Sequence, residues 1–244
     1  MDTFINFNNN LDCDLNIETA LSLSEQDYTH EELLNMLKHG NIAEKQIAAL
    51  KFDKICSTND VQLLLDNLTG CDGKIREAVA YKINLLIKND SETRNIFADL
   101  AANTFAKATI DINANICRHI VNSAVLLKNS DKFTQAYLSY IIKYTNESLI
   151  ELENFIFRDK KYVINKQLFK LYWCLEALTY FHDNIEDNLL HDILVKCIAQ
   201  EEYTIREKCA QIVTASGKFK EIQTKLMNDE NYYVRQVFIS SMLP

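Results

Sequence analysis

The sequence predicts an all-α solenoid built from stacked helical hairpins, and three observations carry that expectation. The chain of 244 residues contains only four Gly and one Pro, and that Pro is the last residue. Sheets, phosphate loops and long irregular connections all consume Gly and Pro as turn residues, so so low a count argues against them. Apolar residues recur at helical spacing through most of the length, as at Ile75, Val79, Ile83 and Ile87, separated by connections too short for anything but antiparallel neighbours. A short polar-to-apolar motif then returns several times.

Residues 1–28 form an Asn- and Asp-rich leader without sustained periodicity, apart from a short helix near 17–24. The acidity of the chain belongs there. Residues 1–37 hold eight acids and no Lys or Arg, whereas 38–244 hold 26 of each sign, so the net charge of −8 leaves the body neutral. Nucleic-acid binding needs a basic surplus that displaces counterions, and none is present globally. The alternating oxygens of Asp12, Asp14, Asn16 and Glu18 resemble a calcium loop. Ile17 stands at its glycine position and Leu23 where its bidentate Glu belongs, so no metal is expected.

The repeat domain, 29–244, opens with Thr29-His30-Glu31-Glu32, an S/T-x-x-E capping box before Leu33 and Leu34, and Gly40 closes that helix. The helices expected after 30–39 cover 42–56, 59–69, 73–88, 92–107, 112–128, 131–145, 148–157, 161–181, 186–199, 203–216, 219–228 and 232–243. Asn59, Asp72, Ser91, Asp111 and Asp131 are candidate caps. Gly70-Cys71-Asp72-Gly73 reads as a helix–helix turn.

Asp72-Gly73-Lys74-Ile75-Arg76, Glu202-Tyr203-Thr204-Ile205-Arg206 and Asn231-Tyr232-Tyr233-Val234-Arg235 share one register: an acid or Asn, two spacers, a β-branched residue and Arg. Asn113 to Arg118 is a weaker copy with Arg one place late, and Ile42 and Val163-Ile164 mark degenerate copies. Taking 42, 75, 116, 164, 205 and 234 as equivalent gives spacings of 33, 41, 48, 41 and 29 residues, the range of helix-pair repeats. The pattern resembles the HEAT-repeat family, including the short repeats of bilin lyases, over residues 30–244. The resemblance implies a right-handed α-solenoid, an α-α superhelix of five to six HEAT-like hairpins. In it the polar cap and the Val/Ile-Arg pair begin the second helix of each unit. Arg76, Arg118, Arg206 and Arg235 are then expected to form a structural ladder bonded between neighbouring repeats.

Catalytic motifs are absent. There is no HExxH, no di-iron ExxH pair, no GxGxxG and no GxxxxGK[ST]. The five His are scattered, and His182-Asp183 and His191-Asp192, as adjacent helical residues, are not expected to face each other. Seven Cys without a CxxC, most inside apolar helical patterns, point to buried thiols in a reducing compartment. With no signal peptide and no spanning apolar run, the expected location is cytoplasmic, without membrane association.

One region concentrates recognition chemistry. Residues 133–181 hold twelve of the 24 aromatics, among them Tyr137, Tyr140, Tyr144, Tyr172 and Trp173, beside the cations Arg158, Lys160, Lys161, Lys166 and Lys170. These aromatics serve either to fill a wide repeat or to anchor a ligand. The expected function is a non-catalytic, cofactor-free interaction scaffold that binds a protein or peptide, acidic in character, on its concave face through Tyr137, Tyr140, Tyr144, Arg158, Lys160, Lys161, Lys166, Tyr172 and Trp173. A bilin lyase-like or bilin-detaching protein and a HEAT-like DNA glycosylase are the enzymatic alternatives. The wide apolar sector of the last helix (Val234, Val237, Phe238, Ile239, Met242 and Leu243) makes it a candidate for self-association.

Overall fold

The computed structural model describes residues 21–154 and 161–242, the side chains of 161–163 and 241–242 excepted. All regular structure among them is helical. After a short helical stretch at 21–25, the α-helices are α1 (His30–His39), α2 (Ile42–Lys51), α3 (Thr58–Leu68), α4 (Gly73–Asn89), α5 (Ser91–Leu100), α6 (Ala102–Thr109), α7 (Ala114–Leu126), α8 (Asp131–Glu153), α9 (Lys161–Phe181), α10 (Asp187–Ile198), α11 (Tyr203–Ser216), α12 (Lys220–Met227) and α13 (Tyr232–Met242). A single 3₁₀ turn, His182–Asn184, follows α9.

The chain divides into two compact units, one ending at Ile96 and the other beginning at Phe97. In the first, hairpin α1/α2 stacks on hairpin α3/α4, with α1 against α3 and α2 against α4. In the second, the hairpins are α6/α7, α8/α9, α10/α11 and α12/α13. Their first helices pack in one row (α6, α8, α10, α12) and their second helices in another (α7, α9, α11, α13). A lone hairpin cannot bury its apolar side, and like-on-like stacking supplies the missing cover. The residues 42, 75, 116, 164, 205 and 234 each fall in the second helix of a hairpin, so the motif marks the start of that helix in both units.

Local chemistry explains the helix boundaries. Thr29/Glu32, Asn41/Glu44 and Ser57/Asp60 are reciprocal capping boxes. Asp72 and Asn113 accept from amides in the first turns of α4 and α7. Ser130 caps α8, and Asp90 accepts from the amides of Glu92 and Thr93. Gly40 ends α1 with an extended backbone. It is needed for space rather than handedness, because a Cβ there would stand 2.5 Å from the Met36 carbonyl oxygen. Gly217 ends α11 in the left-handed conformation at φ 65°.

Three boundaries differ from the sequence expectation. The helix expected over 42–56 stops at Lys51, and Phe52 turns extended to bury its ring 5.0 Å from that of His30. The expected 92–107 helix is interrupted at Ala101, where no Gly or Pro announces the break. The two helices expected over 131–157 are one helix up to Glu153. Nothing between them breaks it, because the Thr145 hydroxyl donates to the Ile141 carbonyl one turn back and stays satisfied inside the helix.

The first unit is filled by Leu37, Phe52, Leu64, Leu68, Ile83 and Ile87, all fully buried. In the second, a run of rings forms a spine through the interior. Phe97 and Phe105 lie 6.2 Å apart, Phe105 and Phe133 6.0 Å, Phe133 and Tyr137 5.4 Å, and Tyr137 and Phe181 5.5 Å. Tyr137 is fully buried and its hydroxyl is 2.9 Å from Thr109 Oγ1. It is therefore a core residue and cannot contact a partner, which corrects its place among the expected surface anchors.

Candidate functional site

The first turns of the second-row helices determine where a site can form. In α4, α11 and α13 the motif arginine bends back over the preceding turn. Nη1 of Arg76 donates to the carbonyls of Gly70 and Cys71, that of Arg206 to Gln200 and Glu201, and that of Arg235 to Asp229 and Glu230. The same two carbonyls, six and five residues back, are used each time, so the guanidinium covers acceptors that the end of the preceding helix leaves open. These bonds are local to one hairpin; the bond between neighbouring repeats expected from sequence is made by Arg206.

Arg206 also reaches forward, across the repeat boundary. Its Nε and Nη2 grip Asp229, at the start of the next second-row helix, at 2.7 and 3.1 Å. In α7, Cys117 occupies the arginine position, and its thiol donates to the Asp111 carbonyl, again six residues back. Arg118, one place late, is exposed and donates to Asn115 Oδ1. That displacement turns Arg118 away from the structural role and toward the surface.

Arg118 borders a cavity of about 460 Å³ laid across α7, α9 and α11, lined also by Ala114, Asn165, Leu168, Phe169, Tyr172, Trp173, Glu202 and Thr204. Its aromatic wall is fixed from behind. The ring of Trp173 meets Tyr172 edge-on at 5.4 Å and Phe169 at 6.3 Å. Lys208 Nζ sits 4.9 Å from the centre of the Tyr172 ring and is paired to the Glu176 carboxylate. Burial works against the Lys208 charge, but the Glu176 partner outweighs it and keeps the ammonium protonated well past neutrality. Trp173 is only 6% exposed, and its indole N–H, a donor with no acceptor function, has no hydrogen-bond partner among the described residues. A second depression, lined by Leu152, Ile164, Leu168, Ala199, Gln200, Glu201 and Glu202, continues the groove along the first half of α9.

Of the residues singled out from sequence, Tyr172 and Trp173 meet in this groove. Tyr140 and Tyr144 are half-buried on α8, and Tyr144 lines a different cavity with Glu147, Glu151 and Lys170. Lys166 is exposed on α9. Arg158 and Lys160 lie outside the described residues, as do the Lys161 side chain, Asp12 to Glu18 and Leu243. The described charges on the groove are Arg118 and Glu202, with Glu201 beyond, so its wall is mixed rather than basic. Sequence reading missed Phe169, Asn165, Glu202 and the Lys208–Glu176 support. Only Phe169 carried a signal, at i−4 from Trp173 on one helix face.

No His or Cys lines the groove. Burial pushes the thiols of Cys174, to about 12, and of Cys117 and Cys209 upward, which makes them poor nucleophiles. His182 Nδ1 and Asp183 Oδ1 do approach, to 3.0 Å across the 3₁₀ turn, which corrects the expectation that they face apart, but the pair lacks hydrogen-bond alignment. At the C-terminal end, Val234 and Phe238 are buried, with α13 packed on α11 and α12, while Tyr232, Tyr233 and Ile239 are exposed. No helix among the described residues is long and apolar enough to cross a membrane.

These features define the class: an all-α solenoid of HEAT-like helical repeats, carrying an aromatic groove on its second-row helices. One solved structure shares the fold, and others are similar to the chain. The crystal structure of an engineered protein matches at a TM-score of 0.53 and 13% identity, over 88% of this chain and 98% of that one, a likeness of fold. Computationally designed armadillo repeat proteins for modular peptide recognition match at 0.48 and 11%, over 86% and 97% of the two chains. The HEAT-like repeats protein of the archaeon Thermococcus onnurineus NA1 matches at 0.37 and 12%, over 89% and 97%. No protein-family model and no curated protein matches the chain.

Proposed function

We propose that the protein is a non-catalytic scaffold that binds an extended peptide segment of a partner protein in the groove across α7, α9 and α11. The observation that carries this reading is the wall formed by Phe169, Tyr172 and Trp173. Aromatic side chains held rigid from behind are the residues that dominate peptide and protein interfaces. Arg118 and Glu202 on opposite helices would fix the direction of the segment by taking one group of each sign. The ligand this wall suits is an apolar residue flanked by polar ones, in place of the acidic peptide the lysines suggested. With Val234 and Phe238 already covered by the chain itself, self-association through the last helix loses its main anchors.

Selection of binders from a random peptide display library on the full chain tests this reading. Selected peptides are expected to lose about tenfold or more in affinity, near 1.4 kcal/mol, on Arg118→Glu and on Tyr172→Ala. Arg118 is exposed, so the first variant leaves unfolding unchanged. Peptides whose affinity ignores both substitutions would place the binding face elsewhere.

A further inference from the structure

The first unit holds a second site, unrelated to the groove. His30, at the first position of α1, Cys56, in the segment between α2 and α3, and Asp60, in the first turn of α3, bring their ligating atoms within 4.8 Å of one another. His30 Nε2 lies 3.0 Å from Asp60 Oδ2. Asp60 is 2% exposed, and its carboxylate accepts from Ser57 Oγ at 2.6 Å and from the amides of Cys56 and Ser57 at 2.7 and 3.2 Å. Burial works to raise the Asp60 carboxyl, but the bonds from Ser57, Cys56 and His30 together outweigh it and hold the group below the usual carboxylate range. Cys56 is an exposed free thiol, and His30 Nδ1 is buried without a partner among the described residues.

Helix capping accounts for only part of this cluster. Ser57 and Asp60 complete the capping box of α3 by themselves. The two other boxes of the same unit, Thr29/Glu32 and Asn41/Glu44, are exposed, and no imidazole–thiol pair of this kind is found around them among the described residues. What capping leaves unexplained is an imidazole and a thiol brought to a buried carboxylate. Imidazole nitrogen, thiolate sulfur and carboxylate oxygen are the donor set of tetrahedral zinc sites with one open position. Around such an ion, bond lengths of about 2.0–2.3 Å put pairs of ligand atoms roughly 3.3–3.8 Å apart. His30 and Asp60 need only a slight opening from 3.0 Å. Cys56 needs about 1 Å of approach from the outer limit of the cluster, and it lies on a segment outside regular helix.

We propose that His30, Cys56 and Asp60 bind a thiophilic divalent cation of the zinc type, with solvent as the fourth ligand. On coordination His30 binds through Nε2 as the neutral imidazole with its hydrogen on Nδ1, Asp60 binds as the carboxylate, and Cys56 releases its thiol proton to solvent. Binding ties α1 to the start of α3 and so crosslinks the first two hairpins.

Titration of the full chain with Co²⁺, followed by absorption spectroscopy, tests the proposal. One equivalent is expected to produce a thiolate-to-cobalt charge-transfer band in the near ultraviolet together with visible bands of tetrahedral cobalt, both removed by Zn²⁺. Cys56→Ser should abolish the charge-transfer band. His30→Gln should weaken Co²⁺ binding by about tenfold or more. Cys71→Ser, at the other exposed cysteine among the described residues, should leave the spectrum unchanged. Absence of the band at millimolar Co²⁺, its persistence in Cys56→Ser, or its loss in Cys71→Ser would each overturn the assignment.

Discussion

Replacing Arg206 with Ala should be the most damaging of the arginine substitutions, and the structure gives the size. Arg206 is 7% exposed and donates to two carbonyls of its own turn while holding Asp229 through two nitrogens. Its removal leaves the Asp229 carboxylate, itself mostly buried, without its cation. Breaking a buried pair from one side costs about 3–5 kcal/mol. Arg76 and Arg235 are half-buried, against 7% exposure for Arg206, and each makes the two-carbonyl contact, so their Ala variants should lose about 1–2 kcal/mol. Arg118→Ala, at an exposed position, should lose less than about 0.5 kcal/mol. Urea unfolding reads the series directly. With a slope of about 3 kcal/mol per molar, Arg206→Ala shifts the midpoint down by about 1–1.7 M at constant slope. The double variant Arg206→Ala/Asp229→Ala should cost less than the two single losses added, because both charges then leave together. An Arg206→Ala midpoint within error of Arg118→Ala would refute the account of the motif as a structural device.

Tyr137→Phe should lower stability by about 1–1.5 kcal/mol through loss of the buried bond to Thr109, with peptide affinity unchanged; an affinity loss would return Tyr137 to the binding face. The pH dependence follows from Asp60 and Asp229. Burial opposes the charge of each, but hydrogen bonds and cations (Ser57 and His30 for Asp60, Arg206 for Asp229) hold both below the usual carboxylate range. A depressed folded pKa gives stability that is complete above the unfolded value of about 3.9 and is lost as pH falls through the folded values. Thermal unfolding followed from pH 5 to pH 2 should therefore show a steep acid loss, and Asp229→Asn should flatten it. An acid limb unchanged in that variant would contradict the assignment.

Much of the fold could be read from the chain because each hairpin repeats one local device. Asp72, Glu202 and Asn231 with the β-branched–Arg pair after them mark second-row helices, and the scarcity of Gly and Pro excludes other classes. What sequence could not separate was the two uses of the arginine. Carbonyls six and five residues back are a local target, while Asp229 depends on how the next hairpin stacks. Cys117 likewise gives no sign in sequence that it stands in for Arg. The aromatic run over 133–181 mixes two fates that share one composition. Phe133, Tyr137 and Phe181 belong to the ring spine, whereas Phe169, Tyr172 and Trp173 line a groove. Only the rotation of α8 and α9 in the stack divides them. The Lys208–Glu176 support was hidden for the same reason, since its members are 32 residues apart on neighbouring repeats. His30, Cys56 and Asp60 lack any spacing motif because three separate elements supply them.

The groove is the claim on which the functional account rests, and hydrogen–deuterium exchange of the full chain with a display-selected peptide tests it most directly. The account predicts slowed exchange in the first turns of α7 and α11 and along 165–173 of α9, and none of that slowing with Tyr172→Ala at the same peptide concentration. Protection confined to α1–α4, or protection of the groove that Tyr172→Ala leaves intact, would contradict it.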